Sequence, residues 1–191
     1  MSCTFVGIYQ SDAMPTLVWF RQDLRLADNP ALQAAIDAGE PIIPVYIHDI
    51  KSEGHWSPGG ATQWWLHHAL VDLADQLNKA GCPLIIRQGD SFKELEKLIN
   101  ETGAKMLVWN RRYEPLVVKR DTEIKTQLRN SGIKVDSFNG SLLHEPQKIK
   151  NLGLQKCGLW KSTFGYVSHI PNVLYNKCDK QVLHVDLSMT I

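Results

Sequence analysis

The chain has 191 residues, enough for one domain and a short extension but not comfortably for two. Hydrophobic residues at 43% and charged residues at 21% fit a globular protein, and a net charge of +1 leaves no global basic field, so nucleic-acid binding by bulk electrostatics is not indicated. No apolar run approaches the ~18 residues of a membrane span, and residues 1–13 lack the basic start and long apolar core of a signal peptide, so the expected location is the cytoplasm.

Leu17–Phe20 is a short apolar run with a Val and two aromatics, the pattern of a buried strand. It runs abruptly into Arg21-Gln22-Asp23-Leu24-Arg25. Asp28-Asn29-Pro30 then predicts a helix start, with Asp or Asn as cap and Pro in the first turn. Leu32, Ala35 and Ile36 share one face of that helix, and Gly39 can stop it in a left-handed conformation. Residues 42–47 are β-branched and apolar and predict the second strand; 48–60 read as loop. A helix over 61–79 places Leu66, Leu70, Leu73 and Leu77 at helical spacing and ends before Gly81. Residues 84–87 predict a third strand. Ser91 is the expected cap of a helix with Phe92, Leu95, Leu98 and Ile99 inward, followed by Gly103. Residues 106–109 predict a fourth strand, 114–130 a helix with Val117, Ile124 and Leu128 inward, and 133–137 a fifth strand after Gly132.

Short strands alternating with helices predict a parallel sheet with helices on both faces, and continuous apolar strands suit a sheet covered on both sides. The expected fold is α/β, a doubly wound Rossmann-like five-stranded parallel sheet in the order 3-2-1-4-5. That order places a ligand crevice at the carboxyl ends of strands one and four. Arg21, Gln22, Asp23 and Arg25 follow the first strand; Asn110, Arg111, Arg112, Tyr113 and Glu114 follow the fourth. The two groups should meet at the crevice. The plainer alternative is that Asp23, Arg25, Arg111 and Arg112 form salt bridges that hold the loops.

The usual chemical signatures are missing. There is no Gly-x-Gly-x-x-Gly after the first strand, no Walker-type loop, no His-Glu-x-x-His and no Gly-x-Ser-x-Gly elbow. Adjacent His67 and His68 would point about 100° apart on a helix and make a poor metal pair. Cys3, Cys82, Cys157 and Cys178 are widely spaced without Cys-x-x-Cys, which reads as buried or free thiols in a reducing compartment. Trp64-Trp65 reads first as a large packing surface, with one ring facing the sheet; Trp56 would add to an aromatic wall for a flat ligand.

Three stretches carry a family resemblance: WFRQDLRLADNPAL, SPGGATQWWLHHAL, and WNRRYEP followed by Arg120-Asp121. In this order and spacing they resemble the N-terminal α/β domain of DNA photolyases and cryptochromes. Leu142-Leu143-His144-Glu145-Pro146 is similar to the segment that leaves this domain. The resemblance runs from Met14 to Ile149, with residues 1–13 as an extension and 150–191 as a divergent tail. WWLHHAL is similar to bacterial photolyases related to plant cryptochromes.

The resemblance implies an antenna domain. In that family the α/β domain holds a pterin (methenyltetrahydrofolate), a deazaflavin or another flavin, in a groove facing a larger helical domain. The helical domain holds FAD, binds damaged DNA and splits pyrimidine dimers by electron transfer. It needs far more chain than follows Pro146, so no residue of dimer repair is expected here and no direct DNA contact. The expected protein is a truncated photolyase-like product retaining the antenna domain, without repair activity alone. The alternative is a stand-alone chromophore module, or a cryptochrome-like light-sensing component, acting with a separately encoded FAD domain. A generic nucleotide-binding α/β protein is disfavoured by the missing phosphate loop. The implied groove residues are Arg21, Gln22, Asp23, His55, Trp56, Asn110, Tyr113 and Glu114. One pterin mode in the family uses Asn-Glu shortly after the Tyr-Glu pair; here Leu116-Val117 stands there, so that mode is not expected. An exposed interdomain face would favour self-association.

Overall fold

The computed structural model describes residues 14–50 and 57–145. Five strands and four helices alternate: β1 (Thr16–Phe20), α1 (Pro30–Ala38), β2 (Ile42–His48), α2 (Gly60–Lys79), β3 (Ile85–Gln88), α3 (Ser91–Thr102), β4 (Met106–Asn110), α4 (Pro115–Asn130) and β5 (Lys134–Phe138). The strands form one parallel sheet in the order β3-β2-β1-β4-β5, as the sequence predicts. Residues of β1 pair in register with both neighbours: Leu17 with Ile43 and Leu107, Trp19 with Val45 and Trp109.

The central strand explains its own sequence. Side chains of a strand alternate between faces, and both faces here are covered. Val18 and Phe20 join a core with α1 and α2, built from residues such as Leu32, Leu73 and Leu77. Leu17 and Trp19 join a second core with α3 and α4, including Leu95, Leu98, Ile124 and Leu128. Every residue of β1 is therefore buried. A fully buried apolar side chain such as Leu17 contributes about 1.5–3 kcal/mol, so a charged residue at positions 17–20 would be strongly disfavoured; the one polar residue of β1, Thr16, is also buried, at the strand's first position.

Local signals set the helix ends. The Asn29 side chain caps α1 by accepting from the Leu32 backbone N–H at 3.1 Å, Pro30 occupies the first turn, and Gly39 ends the helix at φ 83°. One cap differs from expectation. Asp90, not Ser91, caps α3, accepting from the Lys93 N–H at 3.0 Å. Ser91 is the first helical residue, and its N–H and hydroxyl both donate to Asp49 past β2, at 2.9 and 2.7 Å. A carboxylate at each of these positions takes the unpaired N–H groups that start the helix.

Two further expectations are corrected. Trp64 and Trp65 do not pack on the sheet; they are 64% and 68% exposed, because Leu70, Leu73 and Leu77 take the inward stripe of α2. Cys82, just past α2, is buried but disulfide-bonded rather than free.

Candidate functional site

Arg21 answers why a buried strand runs straight into charge. It follows β1, is buried, and donates through its guanidinium to the Asp121 carboxylate on α4 and to the Asn110 carbonyl at the end of β4. Burial pulls the guanidinium below its usual range, and the Asp121 charge works in the opposite direction. Asp121 in turn accepts from Arg120 at 2.8 Å. Arg21 thus ties β1, β4 and α4 together at the carboxyl edge of the sheet.

Asn110 is the second anchor and is also buried. Its amide N–H₂ donates to Asp23 at 2.5 Å and to Asn29 at 2.7 Å, and its carbonyl oxygen accepts from the Ala31 N–H at 3.1 Å. One side chain therefore joins β4, the loop after β1 and the start of α1. Asp23 also accepts from the Arg21 backbone N–H at 2.9 Å. Arg25 donates to the Gly140 carbonyl at 2.6 Å and to the Asp28 carbonyl at 3.0 Å. Asp28 adopts φ 49°, a left-handed conformation in the tight turn that Arg25 closes.

The segment after β5 is held by the loop after β4. The Arg111 N–H donates to the Phe138 carbonyl at 2.7 Å, and its guanidinium pairs with buried Glu145 at 2.7 Å. The Tyr113 hydroxyl lies 3.0 Å from both Glu145 and Asn139 and gives its single proton to one of them. Burial and the Glu145 bond raise the Tyr113 phenol above its ordinary range. Partial burial pushes the Glu114 carboxyl up, but its bond to Arg112 at 3.0 Å and its own backbone N–H outweigh this, and it lies below the usual range. The plain reading of Asp23, Arg25, Arg111 and Arg112 as loop-holding groups therefore describes their contacts, although Asp23 and Arg25 work by hydrogen bonds rather than ion pairs.

Two clefts open on this edge. The larger, about 500 Å³, runs along the ends of β1 and β2. Trp19, Tyr46 and Ile47 form its floor, Thr62, Trp65 and Leu66 of α2 one wall, and Gln22, Arg112 and Arg120 the polar rim. The smaller, about 450 Å³, lies between the loops after β1 and β4, closed on one side by Gly140 and Ser141. Gln22, Asp23, Asn110, Tyr113 and Glu114 border the smaller cleft, and Arg21 and Gln22 the larger. The two polar groups do meet where the strand order reverses. His55 and Trp56 lie outside the described residues.

The larger cleft suits a flat heteroaromatic ligand in size and in chemistry: an aromatic wall with a few aimed polar groups. Its main lining residues, Trp19, Tyr46, Trp65 and Arg120, are not among those picked from sequence. Trp65 carried a signal as half of a conspicuous pair, and Arg120 as part of Arg120-Asp121. Tyr46 and Trp19 carried none, since both read as ordinary strand residues. Among the described residues, no helix is long and apolar enough to cross a membrane.

The DNA photolyase family model matches residues 16–158, most of the chain. The chain belongs to the DNA photolyase family. Deoxyribodipyrimidine photo-lyase of Agrobacterium fabrum is 52% identical over 136 residues, covering 71% of this chain and 28% of that protein. Cryptochrome-1 of Arabidopsis thaliana is 42% identical over 135 residues, covering 70% of this chain and 20% of its own. The crystal structure of a bacterial class III photolyase from Agrobacterium tumefaciens superposes with a TM-score of 0.69 at 47% identity, over 75% of this chain and 29% of that one. This photolyase-family chain therefore spans under a third of the length of these relatives, and its fold is that of their N-terminal Rossmann-like domain.

Proposed function

We propose that this chain is the light-harvesting domain of a photolyase-type protein, holding a second chromophore of the pterin or deazaflavin class in the cleft along β1 and β2. The observation that carries the reading is that cleft: about 500 Å³, with the exposed ring of Trp65 beside Tyr46 and Leu66, and Gln22, Thr62 and Arg112 within reach. Stacking a flat ring on Trp65 removes apolar surface from water on both partners. The polar rim fixes the ring's orientation. When bound, the chromophore supplies absorption of near-ultraviolet and blue light. Arg21 holds Asp121 and the Asn110 backbone carbonyl, and Asp23 and Asn110 hold each other, so these three shape the walls, whereas Gln22 borders both clefts with an exposed side chain.

In this reading the domain has no repair activity alone and works in the cytoplasm with an FAD-binding helical domain. Leu142 and Leu143 of the exit segment are exposed, as are Leu116 and Val118 in the first turn of α4, and they support a docking face that also favours self-association when unpartnered. A light-sensing rather than repair role is the second reading, favoured by the 42% identity to a plant cryptochrome.

The test is an absorption spectrum of the purified chain from about 300 to 500 nm, before and after adding methenyltetrahydrofolate or a deazaflavin. A stoichiometric, red-shifted bound chromophore supports the reading. A colourless protein that takes up neither compound overturns it.

A further inference from the structure

The exit segment after β5 is pinned at both of its ends. The Gly140 carbonyl accepts from Arg25 at 2.6 Å, while buried Glu145 pairs with Arg111 at 2.7 Å and lies 3.0 Å from the Tyr113 hydroxyl. Beside Gly140, the Asn139 side chain turns the backbone by accepting from the Leu142 N–H at 2.9 Å. Gly140 also lies so close to Asn110 that a Cβ there would stand 2.7 Å from the Asn110 Cγ. The segment is thus a fixed wall, and the smaller cleft beside it, about 450 Å³, is formed before any ligand arrives. A wall already ordered leaves less conformational entropy to be lost on binding.

The two clefts adjoin. Gln22, Arg25 and Arg112 line both and form a shared ridge. On one side of it the larger cleft is walled by Trp19, Tyr46, Trp65 and Leu66, which suit a flat ring. On the other side, Gly140 aside, every residue lining the smaller cleft carries a polar side chain. Several of these are spent: Asp23 and Asn110 on each other, Arg111 on Glu145, Arg112 on Glu114. The Gln22 amide and the Ser141 hydroxyl are exposed and make no hydrogen bond among the described residues. Each can both donate and accept. A chain attached to a ring in the larger cleft therefore crosses Gln22 and meets groups of both kinds.

We propose that the two clefts act as one bipartite site: the larger holds the flat ring, and the smaller holds a flexible polar chain attached to it, bearing both hydrogen-bond donors and acceptors in the manner of a glutamyl amide or a ribityl chain. This rests on the chromophore reading above and deepens it, since it states what the ring must carry. Gln22 is then the residue that spans ring and chain. Ser141 borders only the smaller cleft, so it is a contact of the chain alone.

The experiment is a fluorescence titration of the full chain with two matched pairs of compounds: methenyltetrahydrofolate against its triglutamyl form, and an N-methyl deazaflavin against the ribityl deazaflavin. The longer member of at least one pair is expected to bind about tenfold tighter or more, as two added hydrogen bonds to an ordered wall allow. Which pair responds tells a glutamyl chain from a ribityl one. Ser141→Trp and the smaller Ser141→Leu, at an exposed position outside the larger cleft, are expected to keep the melting temperature and the affinity for the shorter compounds while abolishing the gain. Equal affinities within both pairs overturn the proposal, as does a gain that survives both substitutions. Either result leaves the chromophore reading standing, because the shorter compounds still bind. Failure of all four compounds to bind instead overturns that reading, and this proposal with it.

Discussion

Gly140→Ala tests whether the carboxyl edge is as tightly locked as its hydrogen bonds indicate. A Cβ at this position would lie 2.7 Å from Asn110 Cγ and 2.9 Å from Asn110 Cβ. Carbon atoms pack best at about 3.5–4.0 Å, so the clash approaches an ångström. Asn110 cannot swing away, because its amide is fixed to Asp23, Asn29 and the Ala31 N–H at once. Gly140 cannot retreat freely either, since its carbonyl holds Arg25 at 2.6 Å. Overpacking of this kind costs about 1–3 kcal/mol, and a weakened Arg25 bond adds about 1 kcal/mol. The expected loss is ~2–4 kcal/mol, or roughly 6–15 °C in melting temperature for a domain of this size. Urea denaturation of Gly140→Ala, Asn110→Ala and the double variant measures it. The double variant should lose less than the sum of the two singles, because Asn110→Ala removes the atoms that clash. A Gly140→Ala protein within about 0.5 kcal/mol of the parent, or strictly additive effects, would refute the lock.

Three further outcomes are expected. Arg21→Met leaves the Asn110 carbonyl without its buried donor and Asp121 with Arg120 as its remaining described partner, and should cost about 1.5–3 kcal/mol, whereas Arg87→Met, which removes an exposed pair with Glu101, should cost no more than about 1 kcal/mol in the same urea titration; equal losses would contradict the assignment of Arg21 as the staple. The raised Tyr113 phenol contributes stability that is fully present below the ordinary tyrosine value of about 10 and is lost as pH rises through its higher folded value. Unfolding between about pH 8 and pH 11 should therefore be steeper in pH for the parent than for Tyr113→Phe, and parallel profiles would count against it. Trp65→Ala should leave the melting temperature nearly unchanged, given the ring's exposure, yet weaken uptake of the pterin or deazaflavin about 5–30-fold, for ~1–2 kcal/mol of lost stacking; unchanged affinity by fluorescence titration would move the ligand out of the larger cleft.

Much of the fold was legible because its signals are local. An apolar run of four residues, Leu17–Phe20, a Pro after Asn29 and a Gly at position 39 each act on the backbone within a turn of where they stand. The alternation of such units leaves few ways to bury both faces of a parallel sheet, and so the strand order could be read as well. The exchange of cap between Asp90 and Ser91 shows the grain of that reading: the helix start was legible to within one residue, and the choice fell to Asp49, which arrives from another strand and claims Ser91.

The site divided differently. Arg21, Asp23, Asn110 and Tyr113 could be placed together from sequence, because residues just past the ends of neighbouring parallel strands must meet. What each does once there depends on partners far along the chain. Arg21 finds Asp121 a hundred positions later, on the inward stripe of α4 between Val117 and Ile124, where a carboxylate is unexpected without a buried cation to receive it. Asn110 finds Gly140 against its side chain, and Arg111 finds Glu145. Which tryptophan lines the larger cleft was likewise settled by the turn of α2, which sends Trp65 to the rim while Trp19 lies under two guanidiniums. By itself the sequence determined the elements, their order and the edge where polar groups gather, since these follow from periodicity and backbone chemistry. The tertiary structure alone decided which of those groups are spent on one another and which face a cleft, because hydrogen bonds and close contacts are fixed by distance in space and not along the chain.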